Sequence, residues 1–201
     1  MQQKKKDIQM SIQKTALAIF YQQGYPKTKM SDIAKEMNMS VGNIYTYFKN
    51  KEELFYTVVP KETIYYFEDV IAVTVQAYND CLMNKKEPQE VIPLIAKQMI
   101  LLLGNYREVV IMLDKNEGTI YEGMKDKLVK EMIDVRLGDR KTTLLDQDIR
   151  KENIPLFYKI VGSGFLDMVL MALKEEGISE EEKFELCMSL ITYQLKKSQA
   201  N

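Results

Sequence analysis

The chain has no histidine among its 201 residues. Histidine triads, histidine-ligated zinc and imidazole acid–base catalysis are therefore closed to it. Cysteine is nearly as scarce: Cys81 and Cys187 stand far apart in helical contexts, where a small hydrophobe is expected rather than a bridge or a metal ligand. No unbroken apolar run reaches the roughly 18 to 20 residues that cross a bilayer, and the start MQQKKKDIQM lacks the apolar stretch of a signal peptide. A cytoplasmic protein without a membrane partner is expected. No paired-carboxylate, nucleophile or phosphate-loop constellation stands out. Enzyme activity, a metal site and a cofactor are accordingly not expected.

The strand signature of alternating residues between turn signals is missing as well. Nearly every long segment repeats instead with a period near 3.6, and the predicted fold is all-α, with about nine helices. At 46% apolar residues the chain can bury one sizeable core or two modest ones. Its net charge of −1 conceals an asymmetry: residues 1–52 hold nine lysines against four acids, a net of +5, leaving −6 for the remainder. A basic module on an acidic body suits a phosphate-binding head, and a solvated lysine face explains the same numbers.

The periodicity predicts a first helix over Lys4–Gln23, with Ile8, Ile12, Ala16, Ile19 and Phe20 on one stripe and Gly24 as a C-terminal cap. A short helix over Met30–Met37 follows. Asn38, which tolerates positive φ, Met39 as a core plug and Ser40 as an N-cap then predict a tight turn. The next helix, Val41 to about Tyr47, buries Ile44 and Phe48, and Asn50 with Glu53 makes a capping pair for the fourth. Later helices are predicted near 51–84, bent at Pro60, and near 88–104, 105–114, 119–138, 152–175 and 180–197.

Two short helices joined by a three- to four-residue turn, the second with a polar outer face, form the geometry that lays a helix in the major groove. The stretch from Gly24 to Leu54 joins a capped helix, that turn, a Gly42-x-x-Tyr45-x-x-Phe48 recognition helix and the Lys51-Glu52-Glu53-Leu54 start of the next. It closely resembles the TetR family signature. The resemblance implies a helix-turn-helix DNA-binding domain at 1–50, of three helices, and a helical effector-binding and dimerisation domain at 51–201. It also implies a ligand-responsive regulator, usually a repressor. As a dimer it would set two recognition helices about 34 to 36 Å apart on a pseudo-palindromic, double-stranded operator.

Residue by residue, the resemblance implies that Gly42 lets the backbone approach DNA, although a merely tolerated helix glycine is the alternative. Asn43 and Thr46 are the base-reading candidates. Tyr45 and Tyr47 offer hydroxyls to phosphates, with Tyr45 equally readable as a core ring with a wet tip. Lys51 matches the family's phosphate-binding lysine, and Thr28, Lys29 and Ser31 surround the second helix's N-terminus, where N–H groups favour phosphate. Ser40 and Val41 complete the candidate set. Asn38 replaces the usual glycine of the turn, and Val41 stands where a polar or basic residue is common.

Beyond the head the resemblance is architectural. The last two helices carry apolar residues on more than one face, which predicts an isologous homodimer through them, with Gly162 and Gly164 allowing close approach. Eight of the 13 methionines lie beyond Phe55. With nearby aromatics they supply an adaptable lining for a small, largely apolar effector. The candidates are Tyr65, Tyr66, Met99, Tyr106, Met112, Tyr121, Phe157, Phe165 and Met168. Asp167 is readable as a buried acid or as part of a wet stripe, the latter favoured. The stretch Leu113–Tyr121 is similar to a segment of some family members, with no chemistry assigned. The rival reading is a helical small-molecule or lipid binder whose head is non-functional or needs a corepressor.

Overall fold

The computed structural model describes residues 2–83, 85–138 and 149–197, without the side chains of residues 2, 66, 82, 136–138, 196 and 197. Every regular element among them is helical, as the period predicts. In chain order these are α1 (Gln2–Lys27), α2 (Met30–Glu36), α3 (Val41–Tyr45), α4 (Lys51–Val58) and α5 (Glu62–Leu82), then α6 (Pro88–Leu103), α7 (Tyr106–Asp114), α8 (Met124–Gly138), α9 (Ile154–Lys174) and α10 (Glu180–Lys197). The chain divides into two compact units. One comprises Met1–Tyr65 with Arg107–Glu122, the other Tyr66–Tyr106 with Gly123–Asn201.

In the first unit, α1 buries Ile12, Ala16 and Phe20 completely, four residues apart on one face as helical geometry requires. The helix is interrupted at Gly24, where φ is +79°, a conformation glycine adopts without a Cβ clash. A separate turn beyond it reaches Lys27, so the first helix ends at the glycine as its periodicity predicts and is longer only at its N-terminal end. Asn38 takes the expected positive φ, 52°, and the Ser40 hydroxyl accepts the Asn43 N–H at 3.2 Å. Both signals end α2 and start α3 within a few residues. Asn50 likewise caps α4, its side-chain oxygen accepting the Glu53 N–H at 2.7 Å. The Glu53 carboxylate reaches one residue further back than a capping box, to the Lys49 N–H at 2.7 Å.

Two element predictions need correction. The helix expected over 51–84 is not bent at Pro60 but broken there: Val59 has φ −123° and ψ 78°. Proline removes a helical N–H donor, and its ring excludes the residue before it from the helical region. The helix expected from 119 begins only at Met124, because Gly118 and Gly123 hold φ values of +74° and +76° and wind the intervening chain into turns.

In the second unit α9 packs against α8 and α10, and α10 also against α6. Leu166, Leu170 and Leu173 meet this core from α9, and Cys187, Ile191 and Leu195 from α10. Lys183 is buried, with its ammonium donating to the Leu173 carbonyl at 2.9 Å and to that of Glu175. It thereby satisfies carbonyls that the end of α9 leaves open. Asp167 lies on the wet side of α9, paired with Lys125 of α8. With its 3-10 lead-in, Lys151–Lys174 is long and apolar enough to cross a membrane by length and composition, at a mean hydropathy of 1.6. Lys159 and Asp167 interrupt it, so it is not an unbroken apolar run.

Candidate nucleic-acid interface

The short helix α3 has one apolar anchor and one open face. Ile44 is fully buried and Phe48, one turn on, nearly so. That pair fixes the helix by i, i+4 packing and turns Val41, Gly42, Asn43, Tyr45 and Thr46 to solvent. A Cβ added at Gly42 would meet nothing nearer than the Ser40 hydroxyl at 4.0 Å. The fold therefore has room for a side chain there, and the glycine leaves an open notch on the outer face. Asn43 is exposed. The Thr46 hydroxyl donates to the Asn43 carbonyl at 2.7 Å while remaining at the surface. Tyr45 is exposed and Tyr47 half-buried, so Tyr45 is not a core ring.

Beside α3, Lys29 and Ser31 are exposed at the start of α2, where Asp32 caps the Lys29 N–H at 2.9 Å. Two other candidates are placed differently. Thr28 is buried, and its hydroxyl donates to the Gly24 carbonyl at 2.7 Å. Lys51 donates to the Tyr25 carbonyl at 2.7 Å with its ammonium 4.0 Å from the centre of the Tyr25 ring. Partial burial lowers the Lys51 pKa and raises that of Tyr25, the latter helped by the charge of Glu52. Both groups tie α2 and α4 to the kinked end of α1, so the frame of the head is set by residues that resemblance alone assigns to phosphate.

Residues 12–58 match the family described as bacterial regulatory proteins, tetR family. This N-terminal part of the chain is thus similar to the N-terminal domain of tetR-family regulators. The match runs from the first buried residue of α1 to the end of α4, so it contains the whole helix-turn-helix. An uncharacterized HTH-type transcriptional regulator, YhgD, of Bacillus subtilis (strain 168) is 48% identical over 54 residues, 25% of this chain and 28% of that protein. The fatty acid metabolism regulator protein of the same organism is 24% identical over 152 residues, 64% of this chain and 74% of that protein. Among solved structures, the transcriptional regulator FadR from Bacillus subtilis in complex with stearoyl-CoA is 16% identical with a TM-score of 0.43, covering 92% of this chain and 97% of that one.

The effector candidates fall into both units. Tyr65 is exposed, whereas Met112 and Tyr121 are fully buried in the first unit's core. Met99 is buried in the second unit, with Tyr106, Phe157, Phe165 and Met168 half-buried there. The side chain of Tyr66 lies outside the described residues. Sequence reasoning missed Tyr25 and Lys115 as framing residues of the head. The cluster of Asn, Gly and Thr after Lys115 is the one local signal of an ordered turn there.

Proposed function

We propose that this protein is a tetR-family repressor that binds a pseudo-palindromic operator as a homodimer and is released by a small, largely apolar effector. The observation that carries the reading is the outer face of α3: Asn43 and Thr46 exposed beside the open notch at Gly42, anchored by buried Ile44 and Phe48. Asn43 and Thr46 read base edges, while Lys29, Ser31, Ser40, Tyr45 and Tyr47 meet phosphates and sugar. Val41 offers a methyl contact to thymine. Lys51 and Thr28 contribute chiefly by holding the frame. The functional division runs between a DNA-binding domain at 1–50 and an effector and dimerisation domain at 51–201, in a cytoplasmic protein without a cofactor.

Exposed Leu156, Ile160 and Met171 on one side of α9, with Gly164 open between them, support pairing through α9 and α10. The name of the fatty acid metabolism regulator supports an apolar effector, and so does the aliphatic and aromatic make-up of the second unit. To displace the operator, the effector must favour the non-binding arrangement by the usual coupling of about 1 to 3 kcal/mol.

Selection of duplex DNA from a random pool by the purified protein tests the reading, with anisotropy of the enriched duplex over a salt series. A palindromic winner with a steep salt slope is expected. Failure to enrich any sequence, with weak binding even at low salt, would instead favour a helical small-molecule binder with a silent or corepressor-dependent head.

A further inference from the structure

The segment Leu113–Tyr121, separated from the recognition helix by more than half the head's own length, is built as a plug for the DNA-binding unit. Lys115, Asn116, Thr119 and Tyr121 all make their hydrogen bonds within that unit. At one end, the Lys115 ammonium donates to the Gln22 carbonyl at 2.8 Å, across 93 positions of sequence, and the Lys115 carbonyl accepts the Tyr25 N–H at 3.4 Å. The ideal Cβ position of Gly24 lies 3.5 Å from Lys115 Cβ and from its carbonyl oxygen, so the plug lies against the α1 kink. That same kink holds Thr28, at the entry to α2, and Lys51, at the start of α4. Helical carbonyls near a chain break attract cations, and two lysines from distant parts of the sequence supply them here.

At the other end, the fully buried Tyr121 donates its hydroxyl to the Val59 carbonyl at 2.7 Å, where α4 stops. The Tyr56 hydroxyl accepts the Ile120 N–H at 3.1 Å. Between the two ends the turn is knit by Asn116, whose amide donates to the carbonyls of Met112 and Tyr121, each at 2.6 Å. The plug thus grips α1 at its kink and α4 at its last turn, the two helices between which α2 and α3 are held in sequence.

Resting on the operator-binding reading above, we infer that Lys115 and Tyr121 are positioning residues for DNA recognition. They set the pose of the helix-turn-helix without touching DNA. Their place in the chain also gives the second unit a covalent route to the head: residues 107–122 belong to the head yet are joined at both ends to the second unit, at Tyr106 and at Gly123.

The test uses the full chain with Lys115→Met, Lys115→Arg and Tyr121→Phe, the last removing only one oxygen. On the selected duplex, Lys115→Met and Tyr121→Phe should each weaken binding roughly three- to twentyfold, the range of long-range coupling changes. The salt slope and the affinity for a scrambled duplex should stay unchanged, and Lys115→Arg should restore most of the loss. A salt slope lower by about one would make Lys115 a phosphate ligand instead, and unchanged operator affinity would reject positioning. Amide exchange in the DNA-free protein decides the case separately. Faster exchange at Tyr25 and Thr28 in Lys115→Met, with α9 and α10 unaffected, supports the plug even if no operator is found. Unchanged exchange there overturns it.

Discussion

Gly42 and Ser40 stand 4.0 Å apart, measured from the Cβ that Gly42 lacks to the Ser40 hydroxyl, and among the described residues no other atom beyond its chain neighbours and its own helix backbone comes within that distance. The glycine is therefore not demanded by packing, and its φ lies outside the left-handed region. Gly42→Ala should leave the free protein as stable or raise its stability by about 0.5 to 1 kcal/mol, the helical preference for alanine. Operator affinity should fall by about 1 to 3 kcal/mol, the usual cost of a methyl forced into a packed contact. Thermal melts and anisotropy titrations of the same preparation check both signs. A stabilised variant that binds DNA as before would mean that α3 does not approach the duplex at this point.

Asn43 separates base reading from phosphate binding. Its N–H stays capped by Ser40 in Asn43→Ala, so stability should change by less than about 0.5 kcal/mol. Discrimination at one base pair of each half-site should drop by about 1 to 3 kcal/mol, with the salt slope intact. Binding measured on operators substituted one position at a time supplies the readout. Equal losses on every sequence would assign Asn43 to the backbone instead.

Ile160 and Met171 are 64% and 69% exposed on α9, a heavy exposure for side chains that gain roughly 1.5 to 3 kcal/mol each on full burial. Sedimentation of the unsubstituted protein should give twice the 23.4 kDa chain mass, and Ile160→Lys with Met171→Lys should return it to one chain while the helical circular dichroism persists. A variant that stays dimeric moves the interface elsewhere.

Burial pushes the Cys187 thiol up to about 11, outweighing the opposing pull of the Lys183 charge. Below the ordinary thiol range both folded and unfolded states are protonated and the group is neutral toward stability. As pH rises past that range the unfolded thiol ionises first, so stability is lost with rising pH until the folded pKa is passed. The loss is roughly 2.7 kcal/mol at most, from two pH decades at about 1.36 kcal/mol each. Burial of Cys81, Tyr25 and Tyr121 acts in the same direction, so the comparison must be differential. Urea unfolding at about pH 8 and about pH 11 should show a smaller decline in Cys187→Ala than in the unsubstituted chain; parallel declines would show that the thiol ionises alike in both states.

Much of the head was legible from local chemistry. Asn38, Ser40 and Asn50 act within four residues of themselves, through a positive φ or a capped N–H, so their roles survive removal from context. The same holds for Ile44 and Phe48, which one turn of helix brings together. What misled was also local: Pro60 could be read as a bend or a break. The partners that Thr28 and Lys51 find, the carbonyls of Gly24 and Tyr25, carry no such local signal.

By itself the sequence determined that this protein is helical, that its N-terminal part forms a helix-turn-helix, and which residues of the recognition helix face outward, because periodicity, caps and turns are short-range properties of the chain. Only the tertiary structure decided that residues 107–122 complete the DNA-binding unit, that Lys115 caps α1 and that Tyr121 closes on Val59. Those contacts join positions 62 and 93 residues apart, and no local pattern records which distant carbonyl a lysine or a tyrosine will meet once the core has formed.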